Sequence, residues 1–225
     1  MRVNWSRSVP DNAILRGRAA PLPTPNLDTD QIMPKQFLRG IDKSGLAEGL
    51  LHDLRHDGSG QIRPDFVLNQ PAFRGVDMLL AGPNFGCGSS REHAVWGLQQ
   101  FGFKAIMASS FAEIFYYNAL GNGLLLATVS ETDALAFLEE SRLANGPLAL
   151  TIDVQARSVS SAGHSALFSL SDRHQRMFLK GLDALGMSLT SLPAIEQFAQ
   201  AHWQRSPWLC DVAAKTRGRL DGMLR

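Results

Sequence analysis

Residues 81–94, Ala-Gly-Pro-Asn-Phe-Gly-Cys-Gly-Ser-Ser-Arg-Glu-His-Ala, constrain the fold more than any other stretch. They set three glycines, two serines, a cation, a carboxylate and an imidazole between two apolar segments. Val76 to Leu80, just before, reads as a short buried strand, and Ala94, Val95, Leu98 and Phe101, just after, follow a helical spacing. The stretch is therefore a strand-loop-helix turn. Gly86 and Gly88 open backbone angles closed to other residues and let a ligand approach the main chain. Ser89 followed three positions later by Glu92 fits a capping box, which puts Ser89 at the N-cap and Arg91 in the first turn. A helix N-terminus presents free N–H groups and partial positive charge. Arg91 adds a full charge and a planar fork suited to a carboxylate. The turn points to an acidic small molecule.

Spacing alone leaves a second reading open, because many helices begin with Ser-x-x-Glu for stability only. This chain has two more such starts, Ser110 to Glu113 and Ser130 to Asp133. The density of polar groups behind a glycine-rich loop favours function. Other motifs fit poorly: there is no G-x-x-x-x-G-K-[ST], the glycines do not make G-x-G-x-x-G, and Arg91 stands where a nucleophile elbow needs its last glycine.

Asn84 to Ala94 resembles the signature of the swivelling domain of the aconitase superfamily, and in detail that of the 3-isopropylmalate dehydratase small-subunit family. Two further stretches are similar to that family: Pro21 to Leu38, with Asn26-Leu27-Asp28-Thr29-Asp30, and Phe178 to Leu189, with Gly181-Leu182-Asp183-Ala184-Leu185-Gly186. The resemblance runs from about Gly17 to about Trp208. It implies an α/β fold, a swivelling β/β/α domain with a mixed sheet flanked by helices. Residues 1–16 are then a leader, 17–208 the domain and 209–225 a C-terminal extension.

Carried over residue by residue, the resemblance makes Ser89 the catalytic base and Arg91 the residue that stabilises its alkoxide. Ser90 contacts a substrate carboxylate, Asp30 is a supporting polar residue at the rim, and Lys35 and Gly88 join them in substrate binding. Glu92 and His93 shape the loop. The segment Lys35 to Arg39 helps to sort substrates. The implied activity is that of a hydro-lyase, converting 2-isopropylmalate and 3-isopropylmalate by dehydration and rehydration in leucine biosynthesis. The implied partner is a large subunit holding a [4Fe–4S] cluster, with a small dicarboxylate as substrate. Leu27, Met33 and Val95 depart from more usual residues, which leaves citraconate, dimethylmaleate or homoaconitate as alternative substrates, or a non-catalytic anion-binding module as a different class.

Composition agrees with this division of labour. Cys87 and Cys210 are the only cysteines, too few for the thiolates an iron–sulfur cluster usually needs, so this chain is expected to bind no cofactor or metal itself. Lys and Arg total 22 against 21 Asp and Glu, so no global charge calls for nucleic acid or a membrane surface. With no transmembrane run and no signal-peptide core, the expected place is the cytoplasm.

In order, Arg18 to Leu22 reads as a strand, and Pro21, Pro23 and Pro25 forbid a helix on the path into Asp28 and Asp30, both able to cap the turn. Leu46 to Leu54 forms a small helical patch, where His52 and His56 have metal-compatible spacing but no evident third ligand. Strand Lys104 to Ala108, a Ser110-capped helix to Leu120, strand Leu124 to Val129 and helix Asp133 to Ala144 follow. This alternation implies a partly parallel sheet with ligands at the strand C-terminal ends. Strands are expected at Leu148 to Val154 and Ala166 to Leu170. Helices are expected at Arg176 to Leu185 and Pro193 to Trp203, with Gly186 between, and a frayed one in 209–225. Arg173, His174 and Arg176 can reach an anion.

Overall fold

The computed structural model describes residues 13–38 and 45–223. Arg39 of the expected sorting segment lies outside them. The described chain divides into two compact units, ending and beginning at Asp183 and Ala184, a division inside the stretch expected as one domain.

The first unit is built on β1 (Ile14–Leu22), β2 (Met78–Ala81), β3 (Ala105–Ala108), β4 (Leu125–Thr128), β5 (Leu148–Asp153), β6 (Ser158–Ser160) and β7 (Ser165–Leu167). They make one sheet in the order β4-β3-β2-β1-β5-β6-β7. The first four strands are parallel, with Ala19 opposite Met78, Met78 opposite Ala105 and Ala105 opposite Leu125. The last three join antiparallel through β1 and β5. The sheet is mixed, and helices flank it, as expected from the alternation of strand and helix.

Its core follows from side-chain alternation along strands buried on both faces. Ala20, Leu79, Ile106 and Leu126 point to one face, where they meet Ile32, Met33, Leu98 and Phe115. Their neighbours Ala19, Met78, Met107 and Leu125 point to the other, where they meet Phe137 and Leu150. The helices of this unit are α1 (Thr29–Ile32), α2 (Leu46–Gly49), α3 (His52–Arg55), α4 (Glu92–Phe101), α5 (Glu113–Gly121), α6 (Glu131–Ala144) and α7 (Asp172–Lys180). The second unit consists of α8 (Ala184–Leu189), α9 (Leu192–Arg205), α10 (Val212–Met223) and a short turn at Pro207–Leu209.

Several boundaries differ from expectation. β1 begins at Ile14, so the last residues of the expected leader pair with β5. No helix forms over the prolines, β1 ending at Leu22 and Pro25 lying in a turn, but α1 starts soon after them, with Asp28 as its N-cap accepting from the Gln31 N–H in a capping box. The helical patch is two single turns, α2 and α3, separated where Leu51 adopts φ 50°. The polar stretch after β5 contains a strand, β6, whose central Val159 alone is buried. Gly186 lies inside α8 rather than between helices. α7 starts at Asp172, capped by Ser171 accepting from the His174 N–H.

The β6–β7 hairpin is fastened to α6 by carboxylates. Ser130 caps α6, as its sequence suggested, by accepting from the Asp133 N–H. The Asp133 carboxylate also accepts from the Ser130 hydroxyl at 2.5 Å and meets His164 Nε2 at 2.9 Å. Glu140 accepts from the Ser161 hydroxyl and the Gly163 N–H. The Ser130 hydroxyl, followed by His164, holds the Asp133 carboxyl below its ordinary value of 3.8. A depressed acid contributes stability above its unfolded value and loses it as pH falls through the folded one. Asp133→Asn is therefore expected to lower the unfolding midpoint at about pH 6, with the gap to the parent closing as pH falls below the ordinary carboxylate value of 3.8. Thermal unfolding across that range checks it; a gap independent of pH would show that the charge contributes nothing.

Candidate functional site

The C-terminal ends of β1, β2 and β3 release three loops that are stitched into one another. Gly82 N–H donates to Leu22 O at 3.0 Å, Asn26 N–H to Pro83 O at 2.9 Å, Gly86 N–H to Leu27 O at 2.8 Å and Thr29 N–H to Cys87 O at 2.8 Å. The third loop joins through Phe85 N–H to Ser110 O and Ala112 N–H to Phe85 O. Side chains reinforce the seam: Asn84 Nδ2 donates to Asn26 Oδ1, and Cys87 Sγ donates to Asn26 O. Each loop continues the parallel order of its strand for a few residues beyond the sheet. This explains how a glycine-rich segment holds one shape.

Glycine is required at the tightest point. Gly86 adopts φ +78°, and a Cβ there would lie 2.3 Å from Cγ of the Phe115 ring, itself buried against Phe85. Gly88 adopts φ +93° with Asp28 Cβ 3.4 Å from where its own Cβ would be. Both positions bear out the expectation that these glycines are there for their backbone angles.

The helix start differs from the expected one. α4 begins at Glu92, with Arg91 at the N-cap position and no side chain capping it. Ser89 is not a cap. Its carbonyl instead accepts from the hydroxyl of Thr29, a polar residue only 2% exposed. Ser110 likewise caps nothing, since its hydroxyl accepts from the Asn84 N–H and Ala112 takes the N-cap position of α5. Ser89 and Ser90 are exposed, and among the described residues their hydroxyls have no partner. The N-terminus of α4 is thus left open beside two unengaged hydroxyls, where its N–H groups favour an anion.

Arg91 is the cation of the site and is held from the opposite loop. Its side chain is 15% exposed, and its Nη1 meets Asp30 Oδ1 in an ion pair whose two contacting atoms are buried with no other hydrogen-bond partner. Lys35 Nζ stands 3.9 Å from the other Asp30 oxygen, near the edge of salt-bridge range, and is 75% exposed. The structure thus brings together Asp30, Lys35, Gly88, Ser89, Ser90 and Arg91. A carboxylate fixing one nitrogen of a guanidinium leaves the rest of the fork to a second anion.

Two residues that hold this site gave no local signal. Thr29 fixes the Ser89 peptide, and Asn122, at the C-cap of α5, donates from Nδ2 to Glu92 Oε1 at 2.7 Å. His93 does not enter the ion pair; its ring lies 4.8 Å from that of Trp96. The other cationic candidates lie elsewhere. Arg173, His174 and Arg176 sit at the start of α7, next to a cleft of about 610 Å³, yet the cation that lines this cleft is Arg157, with Tyr116, Thr128 and Ser171. His174 donates to or accepts from Ser171 Oγ, and burial followed by Arg173 holds its imidazole below the ordinary value. His52 and His56 stack at 4.3 Å, and His56 Nδ1 contacts the His52 carbonyl.

An α/β domain whose parallel strand ends carry a Ser-Ser-Arg loop at an uncapped helix N-terminus belongs to a known class. Residues 11–132 match the aconitase C-terminal domain family. The chain is 55% identical over 206 residues to a 3-isopropylmalate dehydratase small subunit 1 of Chromobacterium violaceum, covering 92% of this chain and 97% of the relative. It is 45% identical over 195 residues to a small subunit 2 of Salmonella typhimurium, covering 87% and 93%. The solved structure of a 3-isopropylmalate dehydratase from Methanocaldococcus jannaschii superposes with a TM-score of 0.60 at 26% identity, over 82% of this chain and 99% of that one. The chain belongs to the family of 3-isopropylmalate dehydratase small subunits.

Gly86→Ala combines a left-handed backbone with a clash against an aromatic ring, so it is expected to cost about 2–5 kcal/mol of stability. Denaturant unfolding measures it. A loss below about 1 kcal/mol would mean that the seam relaxes around a Cβ.

Proposed function

We propose that this chain is the half of 3-isopropylmalate dehydratase that carries the proton-transferring serine, and that with a large subunit it isomerises 2-isopropylmalate and 3-isopropylmalate by dehydration and rehydration. The observation that carries the reading is the state of Ser89: exposed, unengaged, two residues before Arg91 in the same loop and not used as a helix cap. In this reading Ser89 takes the proton from the carbon next to the one bearing the hydroxyl, and returns it on the opposite course of the reaction. The group that accepts this proton is the Ser89 alkoxide, which becomes the hydroxyl as it does so, and since an alkoxide is too basic to persist in water it must be stabilised before the transfer. Arg91 and the uncapped N–H groups of α4 supply that field where the partner covers the site. Ser90, Gly88 and Lys35 face the substrate carboxylates, and Asp30 orients Arg91.

The described residues do not fit an iron–sulfur cluster. The Cys87 thiol is directed at Asn26 O and the Cys210 thiol at Asp211, and among the described residues no three His, Cys, Asp or Glu side chains converge. The [4Fe–4S] cluster of the family reading belongs in the proposal to the large subunit, and the loss of the substrate hydroxyl is that subunit's part. Among the described residues no helix is long and apolar enough to cross a membrane. A cytoplasmic complex working in leucine biosynthesis fits the proposal.

Since Ser89 is no cap, Ser89→Ala is expected to change stability by less than about 0.5 kcal/mol, against the 0.5–2 kcal/mol a lost cap costs. The kcat of the complex reconstituted with the large subunit is expected to fall by about a hundredfold or more, with KM little changed. Arg91→Lys is expected to fail too, because a point charge cannot hold Asp30 and an alkoxide in one plane. Steady-state kinetics beside melting of the small subunit decides it. A Ser89→Ala complex that turns over normally would sink the mechanism.

A further inference from the structure

Glu92 follows Arg91 directly, in the first turn of α4. A carboxylate one residue along the chain from the guanidinium assigned to substrate is a second acid that could pair with it, unless it is held elsewhere. Asn122 does the holding. Its Nδ2 donates to Glu92 Oε1 at 2.7 Å and to Asn118 O at 2.9 Å, while its Oδ1 accepts from Trp96 Nε1 at 2.9 Å. Its backbone carbonyl accepts from Gln99 Nε2 at 2.7 Å, and its N–H donates to Asn118 O and Ala119 O. Every polar group of this one residue is engaged. Three of the bonds run to Glu92, Trp96 and Gln99, which share one face of α4 at i, i+4 and i+7.

The opposite side of α4 is fixed by the core. Ala94, Val95 and Leu98 are buried, and a Cβ on Gly97 would lie 2.1 Å from the Met33 methyl and 3.4 Å from Leu46 O. With one face packed and the other bonded to Asn122, the helix is held from two sides, and these contacts place Arg91 at its N-cap.

We infer that Asn122 is a positioning residue for the reaction: it turns the Glu92 carboxylate toward α5, so that Arg91 keeps one acidic partner, Asp30, and offers the rest of its fork to substrate. The inference rests on the reading of Ser89 and Arg91 given above. Asn122→Asp removes the donor and sets a second carboxylate against Glu92, which frees Glu92 for its neighbour Arg91. The double substitution Asn122→Asp with Glu92→Gln restores the bond with donor and acceptor exchanged, since the amide introduced on α4 donates to the carboxylate introduced at the end of α5.

The test measures kcat, KM and melting temperature for the small subunit reconstituted with its large subunit, assayed well below the melting temperature. Asn122→Asp is expected to lower kcat at least tenfold with KM changed less than threefold, and the double variant to recover kcat to within about threefold of the parent. A role confined to holding α4 on α5 would lower the melting temperature and leave kcat intact in the folded complex. Should Asn122→Asp fail to assemble, Asn122→Ala removes the donor without adding charge and carries the same test, with a loss of about fivefold or more. A folded Asn122→Asp complex with kcat within twofold of the parent overturns the inference, as does a double variant that recovers melting temperature but not kcat. Failure of the underlying reading looks different: there, Ser89→Ala and Arg91→Lys turn over normally whatever Asn122 does.

Discussion

Asp30 and Arg91 meet across a seam between two loops, and the seam exists because β1 and β2 are adjacent and parallel. Parallel strands end on the same edge of a sheet, so the chain leaving Leu22 and the chain leaving Ala81 run out side by side and go on bonding, from Gly82 and Leu22 to Thr29 and Cys87. The ion pair closes that seam at its far end. Its two contacting atoms are buried while the Asp30 side chain remains 45% exposed, so the pair is open on one side. Removing one partner of a fully buried pair costs about 3–5 kcal/mol, and partial exposure makes the cost here smaller. What the pair chiefly does is give a long, flexible cation one direction.

The same arrangement explains which parts of the site were legible in the sequence. The strand-loop-helix turn was, because apolar periodicity on either side of a glycine-rich stretch is a local signal. Gly86 and Gly88 were, because their backbone angles are required where they stand. The capping assignment of Ser89 was not. Ser-x-x-Glu is a local pattern, and here tertiary partners hold its two members away from the helix end, Thr29 through the Ser89 carbonyl, which leaves the Ser89 hydroxyl unengaged, and Asn122 through the Glu92 carboxylate. Ser110 goes the same way, captured by the Asn84 N–H. Ser130, whose hydroxyl stays among its own helix's first turn, caps as its sequence suggested. A cap motif therefore fails where loops from different strands fix its members in other positions, and in this fold that place is the edge that carries the candidate site.

Elsewhere the misses have simpler causes. β6 buries a single side chain, too little apolar pattern to read as a strand. Gly186 inside α8 shows a glycine accepted within a short helix rather than ending it. β1 was read as starting late because Ile14 to Gly17 are only partly buried or exposed, so their alternation is weak. None of these touches the site, which depends on the parallel half of the sheet.

The central claim is that Asp30 acts on the reaction through Arg91, and a double-mutant cycle tests it most directly. In the reconstituted complex, Asp30→Asn is expected to lower kcat/KM by about tenfold or more. Placed on an Arg91→Lys background, it is expected to lower it by less than about twofold further, because the group it directs is already gone. Losses that multiply across the two substitutions would contradict the account, and would make Asp30 a substrate contact in its own right.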